Sequence, residues 1–204
     1  MRDVLTTARR IGLAYVVASA QVNLGPVLLQ RGRAQEALAM ARAGVEAFKT
    51  QNDPRTEGVA RIYLTGILAA TGELERAEIE ARAALALLET VPGLRPEGLA
   101  MLAHVLLVRG RGEEALVAAS DAMTELEARS SMLEEGESLV RLSFARALDA
   151  AGDRAAAQRV IAKARDRLRE RAAQIAREDW RRTFLENVPE HARTLALAAE
   201  WLGD

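Results

Sequence analysis

His104 and His191 are the only imidazoles in 204 residues, and the chain has no cysteine. A nucleophilic triad would need one histidine beside a hydroxyl and a carboxylate. His104 lies in the first helix of a repeat and His191 beside Glu190 in the terminal helix, and no Gly-x-Ser-x-Gly, phosphate loop or His-Glu-x-x-His occurs. The lack of cysteine excludes a disulfide framework, a thiolate nucleophile, an iron–sulfur cluster and a thiolate zinc site. Glu113-Glu114 and Glu134-Glu135 are paired carboxylates of the type used in acid–base work. Both pairs fall where helices should start, and there negative charge favours the helix dipole. The stretch 163–182 holds eight cations and four anions, a balance of +4. Its acids alternate with its bases, so helix-face ion pairs are expected rather than a nucleic-acid surface. No enzyme activity, cofactor or metal is expected.

The remaining composition points to packing. Twenty-eight Lys and Arg oppose 29 Asp and Glu, half the residues are hydrophobic, and only 3% are aromatic. A net charge of −1 speaks against a dedicated nucleic-acid binder, and the apolar fraction against disorder. No run reaches the roughly 18 apolar residues of a membrane span. The start, Met1-Arg2-Asp3-Val4, has no basic region followed by an apolar run. A cytoplasmic protein with no membrane partner is expected.

An internal repeat accounts for the apolar half. Gly32, Gly72, Gly110 and Gly152 each end an apolar helical segment, at spacings of 40, 38 and 42. Five residues after each comes Ala37, Ala77, Ala115 or Ala157; twelve after comes Gly44, Ala84, Ala122 or Ala164. The marker glycine supplies the left-handed residue that stops a helix. The first small residue lets the two helices of a hairpin approach, and the second lets the next repeat stack. Helices are predicted over 3–11, 14–31, 34–50, 55–71, 74–90, 96–109, 112–128, 133–151, 154–175, 178–186 and 189–202. Asn52-Asp53-Pro54 and 91–96 carry breakers, and Ser130-Ser131 form a cap region. Pro26 should kink its helix or free a carbonyl.

Leu24-Gly25, Leu28, Gly32 and Ala37 resemble the tetratricopeptide repeat, a helix–turn–helix unit of about 34 residues. The other repeats depart from it, with Thr65, Ala103 and Ala145 replacing the first Gly. The longer period resembles the extended variant of MalT-like bacterial regulators. The resemblance implies an all-α, right-handed superhelical solenoid with C-terminal capping helices. Four hairpins are expected at 14–52, 55–91, 96–129 and 133–176, within 14–176. Residues 1–13 are either the tail of a preceding repeat, which would make the chain a fragment of a longer array, or an N-terminal capping helix. Residues 177–204 should cap the array, with Trp180, Phe184 and Trp201 covering its end. The run from Phe184 to Arg193 resembles the end of helical-repeat regions in bacterial signalling proteins linked to Ser/Thr kinase, ATPase or cyclase modules.

The resemblance also places a concave groove on the first helices of the hairpins. Its positions map to Ser19, Val22, Pro26 and Leu29, then Val59, Ile62, Gly66 and Ala69. The third set is Glu97, Ala100, His104 and Leu107; the fourth is Leu139, Leu142, Arg146 and Asp149. The Lys, Arg and Asn set with which the family clamps a peptide carboxylate is absent. The partner-binding positions expected are Val22, Leu29, Val59, Ile62, Gly66, Ala69, Ala100, His104, Leu107 and Arg146. Three occupants fit an apolar groove: a partner helix or peptide, a second copy as in a homodimer, or the terminal helix of the same chain. If curvature closes the groove, these residues are ordinary core. Ile62→Asp and Leu107→Asp separate the two by abolishing binding or folding. The expected function is a non-catalytic protein-interaction scaffold in a bacterial signalling or regulatory protein. A homo-oligomerisation module is the alternative, and a nucleic-acid-binding repeat a lesser one.

Overall fold

A computed structural model of the chain describes residues 6–8, 10–128 and 136–203. Its described elements are all helical. Thr6, Thr7, Ala8 and Arg10 are helical. Ten further helices follow: α1 (Ala14–Gln30), α2 (Ala34–Thr50), α3 (Pro54–Ala70), α4 (Leu74–Leu87), α5 (Arg95–Val108), α6 (Gly112–Glu127), α7 (Glu137–Ala150), α8 (Arg154–Ala173), α9 (Glu178–Glu186) and α10 (Pro189–Leu202). They pack in order as hairpins α1–α2, α3–α4, α5–α6 and α7–α8, and α9 and α10 close over the last pair.

The marker glycines do what their spacing predicts. Gly32, Gly72, Gly110 and Gly152 all have positive φ, between 72° and 88°. The next residue donates its N–H five residues back: Arg33 to Leu28 and Glu73 to Leu68 at 2.9 Å, Arg111 to Leu106 at 2.9 Å and Asp153 to Leu148 at 3.0 Å. One C-terminal stop is thus built four times. The same bond joins Leu13 to Ala8 after Gly12, and Asp53 to Phe48 after Asn52. Asn52 takes the left-handed position at φ 53°, where a short polar side chain is tolerated.

The small residues sit at the crossings. Ala37, Ala77, Ala115 and Ala157 are fully buried, and so are Ala84 and Ala122. The second small residue works differently from expectation. A Cβ on Gly44 would overlap Val22 Cγ2 of α1, within the same hairpin. Ala84 likewise packs with Ile62 of its own hairpin. This position serves the hairpin before it serves the stack.

Some boundaries shift. α4 ends at Leu87, not residue 90; the next residue, Leu88, is fully buried and lies 2.7 Å from where a Cβ on Gly58 would sit. α7 starts at Glu137 behind a left-handed Gly136, and α8 ends at Ala173. The helix α1 continues through Pro26 to Gln30. Ser130-Ser131 and Glu134-Glu135 lie outside the described residues. Pro189 opens α10, as the helix predicted over 189–202 requires, and Asn187 closes α9.

The cap is narrower than three aromatics. Trp201 is buried against Leu142, Ala145, Ala157 and Ile161. Phe184 is half-buried, its ring 4.4 Å from that of His191. Trp180 is 59% exposed and stacks with Arg177, so it is not part of the buried cap. Leu197 and Thr194 complete the buried side of α10 instead. No described helix is long and apolar enough to cross a membrane.

Candidate functional site

The groove positions fall into a regular register on α1, α3, α5 and α7. The second position of each set is core: Val22, Ile62, Ala100 and Leu142 are all 5% exposed or less. Ile62 packs with Ala84 and Leu88, and Leu142 lies under α10. For Val22, Ile62 and Ala100 the expectation of a contact surface is corrected, because helix crossings enclose them. The other positions are half-buried: Ser19, Pro26, Leu29, Val59, Gly66, Ala69, Glu97, His104, Leu107, Leu139, Arg146 and Asp149. They line one side of the first helices and change from apolar to polar along the array. Gly66 lies beside the Met101 methyl of α5.

Polar groups converge at the C-terminal end. Arg146 Nη1 of α7 donates to His104 Nδ1 of α5 at 2.9 Å. Nδ1 therefore accepts, and the imidazole is neutral with its proton on Nε2. Burial first, then the Arg146 charge, push the His104 pKa down to about 4. Burial and the Arg193 charge likewise lower Arg146 from its ordinary value. These two groups and Arg193 of α10 sit beside a cleft of about 320 Å³, lined also by Leu107, Asp149, Arg154, Leu197, Glu200 and Trp201. Asp149 is paired with Arg154 at 2.7 Å, and Arg154 lies 4.2 Å above the Trp201 ring.

His104 and Arg146 were both legible as groove positions. Their contact, across 42 residues, was not. Arg193, Arg154 and Trp201 were missed for this site, since α10 reaches it only through its packing on α7 and α8. His191 is separate and structural. It is buried, and its Nδ1 donates to the Phe184 carbonyl at 2.8 Å, tying α10 to α9.

Many other charged side chains are held in ion pairs, some within one helix and some across elements. Glu78 of α4 receives Arg82 at 2.8 Å and Arg111 at 2.7 Å, and pairs with Arg109 as well. Arg61 of α3 bridges Glu57 and Glu80, and Arg95 of α5 meets Glu125 of α6 at 2.8 Å. Glu114 pairs with Arg111 at the start of α6. In the basic stretch, Arg165 pairs with Asp166, Arg167 with Glu137 and Glu170, and Arg177 with Asp179. Among the described residues no group of three metal-ligating side chains occurs.

No family model matches the chain, and no curated protein does. Solved structures do. A kinesin-light-chain-type protein of Podosopora anserina with nearly identical TPR-like repeats superposes at a TM-score of 0.61, with 16% identity over 91% of this chain and 86% of that one. A crystal structure of a substituted form of that protein gives the same values. This chain has the fold of tetratricopeptide-like helical repeats.

Proposed function

We propose that this chain is a non-catalytic scaffold that binds a partner helix or peptide along the half-buried face of α1, α3, α5 and α7. The observation that carries the reading is the common register of Leu29, Val59, Gly66, Ala69 and Leu107, all partly open and all apolar, over successive hairpins. Apolar side chains in line on a preformed surface suit an amphipathic segment. The scatter of its two histidines and the pairing of its carboxylates favour a binding role over catalysis. Its setting, in this reading, is the sensor or adaptor region of a larger bacterial signalling or regulatory protein, in the cytoplasm.

The structure alters which variant tests this. Ile62→Asp would put a charge in the core and unfold the hairpin. Val59→Asp sits at a half-buried groove position, distant in sequence from Arg146. Peptides selected on the wild-type protein from a displayed library should bind Val59→Asp at least tenfold more weakly, with helicity by circular dichroism unchanged. Equal binding by folded Val59→Asp, or no peptide enriched over a control protein, overturns the reading.

A second reading has its own support. Ile11, Leu13 and Tyr15 are 58%, 47% and 53% exposed, and the neighbouring Val16 is exposed too. An apolar cluster of this kind suits stacking on a second copy. Light scattering from micromolar to millimolar concentration should show the mass rising, and Leu13→Glu should abolish the rise. A constant monomer mass rules self-association out.

A further inference from the structure

We propose that the cleft between α5, α7 and α10 is a carboxylate-binding site, in which Arg146 and Arg193 hold an acidic side chain of a protein partner. The partner as the source of the carboxylate rests on the scaffold reading above; the site itself does not.

A guanidinium carries five N–H donors in a rigid fork and stays charged. In Arg146 one donor is used, on His104. Among the described residues no carboxylate lies within ion-pair distance of Arg146 or Arg193. Other described arginines, such as Arg61, Arg95 and Arg109, reach carboxylates across element boundaries. Among the described residues no buried side-chain nitrogen or oxygen is left without a partner, so the remaining Arg146 nitrogens are accessible to solvent, and Arg146 lines the cleft. Two uncompensated cations are thereby held near one cavity by elements 47 residues apart, from 146 to 193.

The surroundings favour an incoming anion. His104 stays neutral at neutral pH, and therefore accepts one hydrogen bond from Arg146 without cancelling its charge. Asp149 is occupied by Arg154. Glu200, the other lining carboxylate, is exposed on α10. Leu107, Leu197 and Trp201 supply apolar walls. A half-buried guanidinium with free donors meets a carboxylate bidentately, which is the strong form of the interaction. About 320 Å³ accommodates one acidic side chain with an apolar neighbour, and not a helix.

The test uses His104 as reporter, because its ring touches Arg146. The ring carbon and proton shifts are followed by NMR at neutral pH and constant ionic strength. The probes are sodium glutarate, an acetylated and amidated Leu-Glu-Leu peptide, and the same peptide with Gln for Glu. The wild type should show saturable shifts with glutarate and the Glu peptide, in the millimolar range, and none with the Gln peptide. Arg193→Gln, at an exposed position, should weaken binding at least fivefold; Arg146→Gln should remove the saturable shift. No saturable shift in the wild type, or equal affinity in folded Arg193→Gln, overturns the site. A response to glutarate without one to the Glu peptide overturns the partner as the source. Failure of the scaffold reading shows elsewhere, in the Val59→Asp comparison.

Discussion

Gly44→Leu is expected to destabilise the array by about 2–3 kcal/mol, since overpacking a filled core costs roughly that much. The glycine sits mid-helix in α2, where even a Cβ would overlap Val22 Cγ2 and come 3.4 Å from the Ala18 carbonyl oxygen. Val22 is 4% exposed and Ala18 fully buried, so neither can yield into solvent. Leucine recovers under about 1 kcal/mol of helix propensity over glycine, which is too little to offset the overlap. A sharper form uses Gly44→Ala with Val22→Ala. Alone, Gly44→Ala should lower the urea midpoint. In the Val22→Ala background the same change should raise it, because the methyl fills vacated space and the helix gains the roughly 1 kcal/mol of an Ala over a Gly. Additive effects within about 0.5 kcal/mol would mean the two residues do not touch.

Glu78→Gln should cost about 2 kcal/mol, the loss of one partner from a buried charge cluster reduced for the cations' partial exposure. Glu78 is 8% exposed as a residue and faces three guanidiniums: Arg82 on its own helix, Arg109 after α5 and Arg111 before α6. Removing its charge leaves the three cations facing each other. Burial raises the pKa of this carboxylate, but hydrogen bonds from Arg82 and Arg111 outweigh it and hold the group below its usual 4.5. The unfolded chain therefore binds the proton first on acidification. The stabilisation is complete above about pH 4.5 and is lost as pH falls through the lower folded value. Thermal melts from pH 7 downward should show the gap between wild type and Glu78→Gln closing in acid. A gap independent of pH would refute the charge as its cause.

Much of the fold was legible because its determinants are local. A left-handed glycine and an alanine five residues later are both visible along the chain. The seating of single side chains was less so: nothing near Leu88 shows that it will lie beside Gly58. Burial of an apolar residue was also not readable from its face alone. Ile62 and Leu107 share the groove register, yet one is core and the other half-open. The difference depends on how far the next hairpin overlaps each turn. Arg193 belongs to a helix outside the repeat, so the repeat register gave it no place. Trp180 departs from the expected cap because an aromatic near a terminus need not face inward.

Each described helix touches only helices within three places of it in chain order. This makes the molecule modular in a sense that bears on the cleft. His104, Arg146 and Arg193 belong to the last two hairpins and the cap, so the opening hairpin α1–α2, which does not pack on α5, α7 or α10, can be gained, lost or exchanged without removing a contact from them. Such a site is portable: array length and the selectivity of the opening repeats can diverge while the anion-holding end is carried along intact.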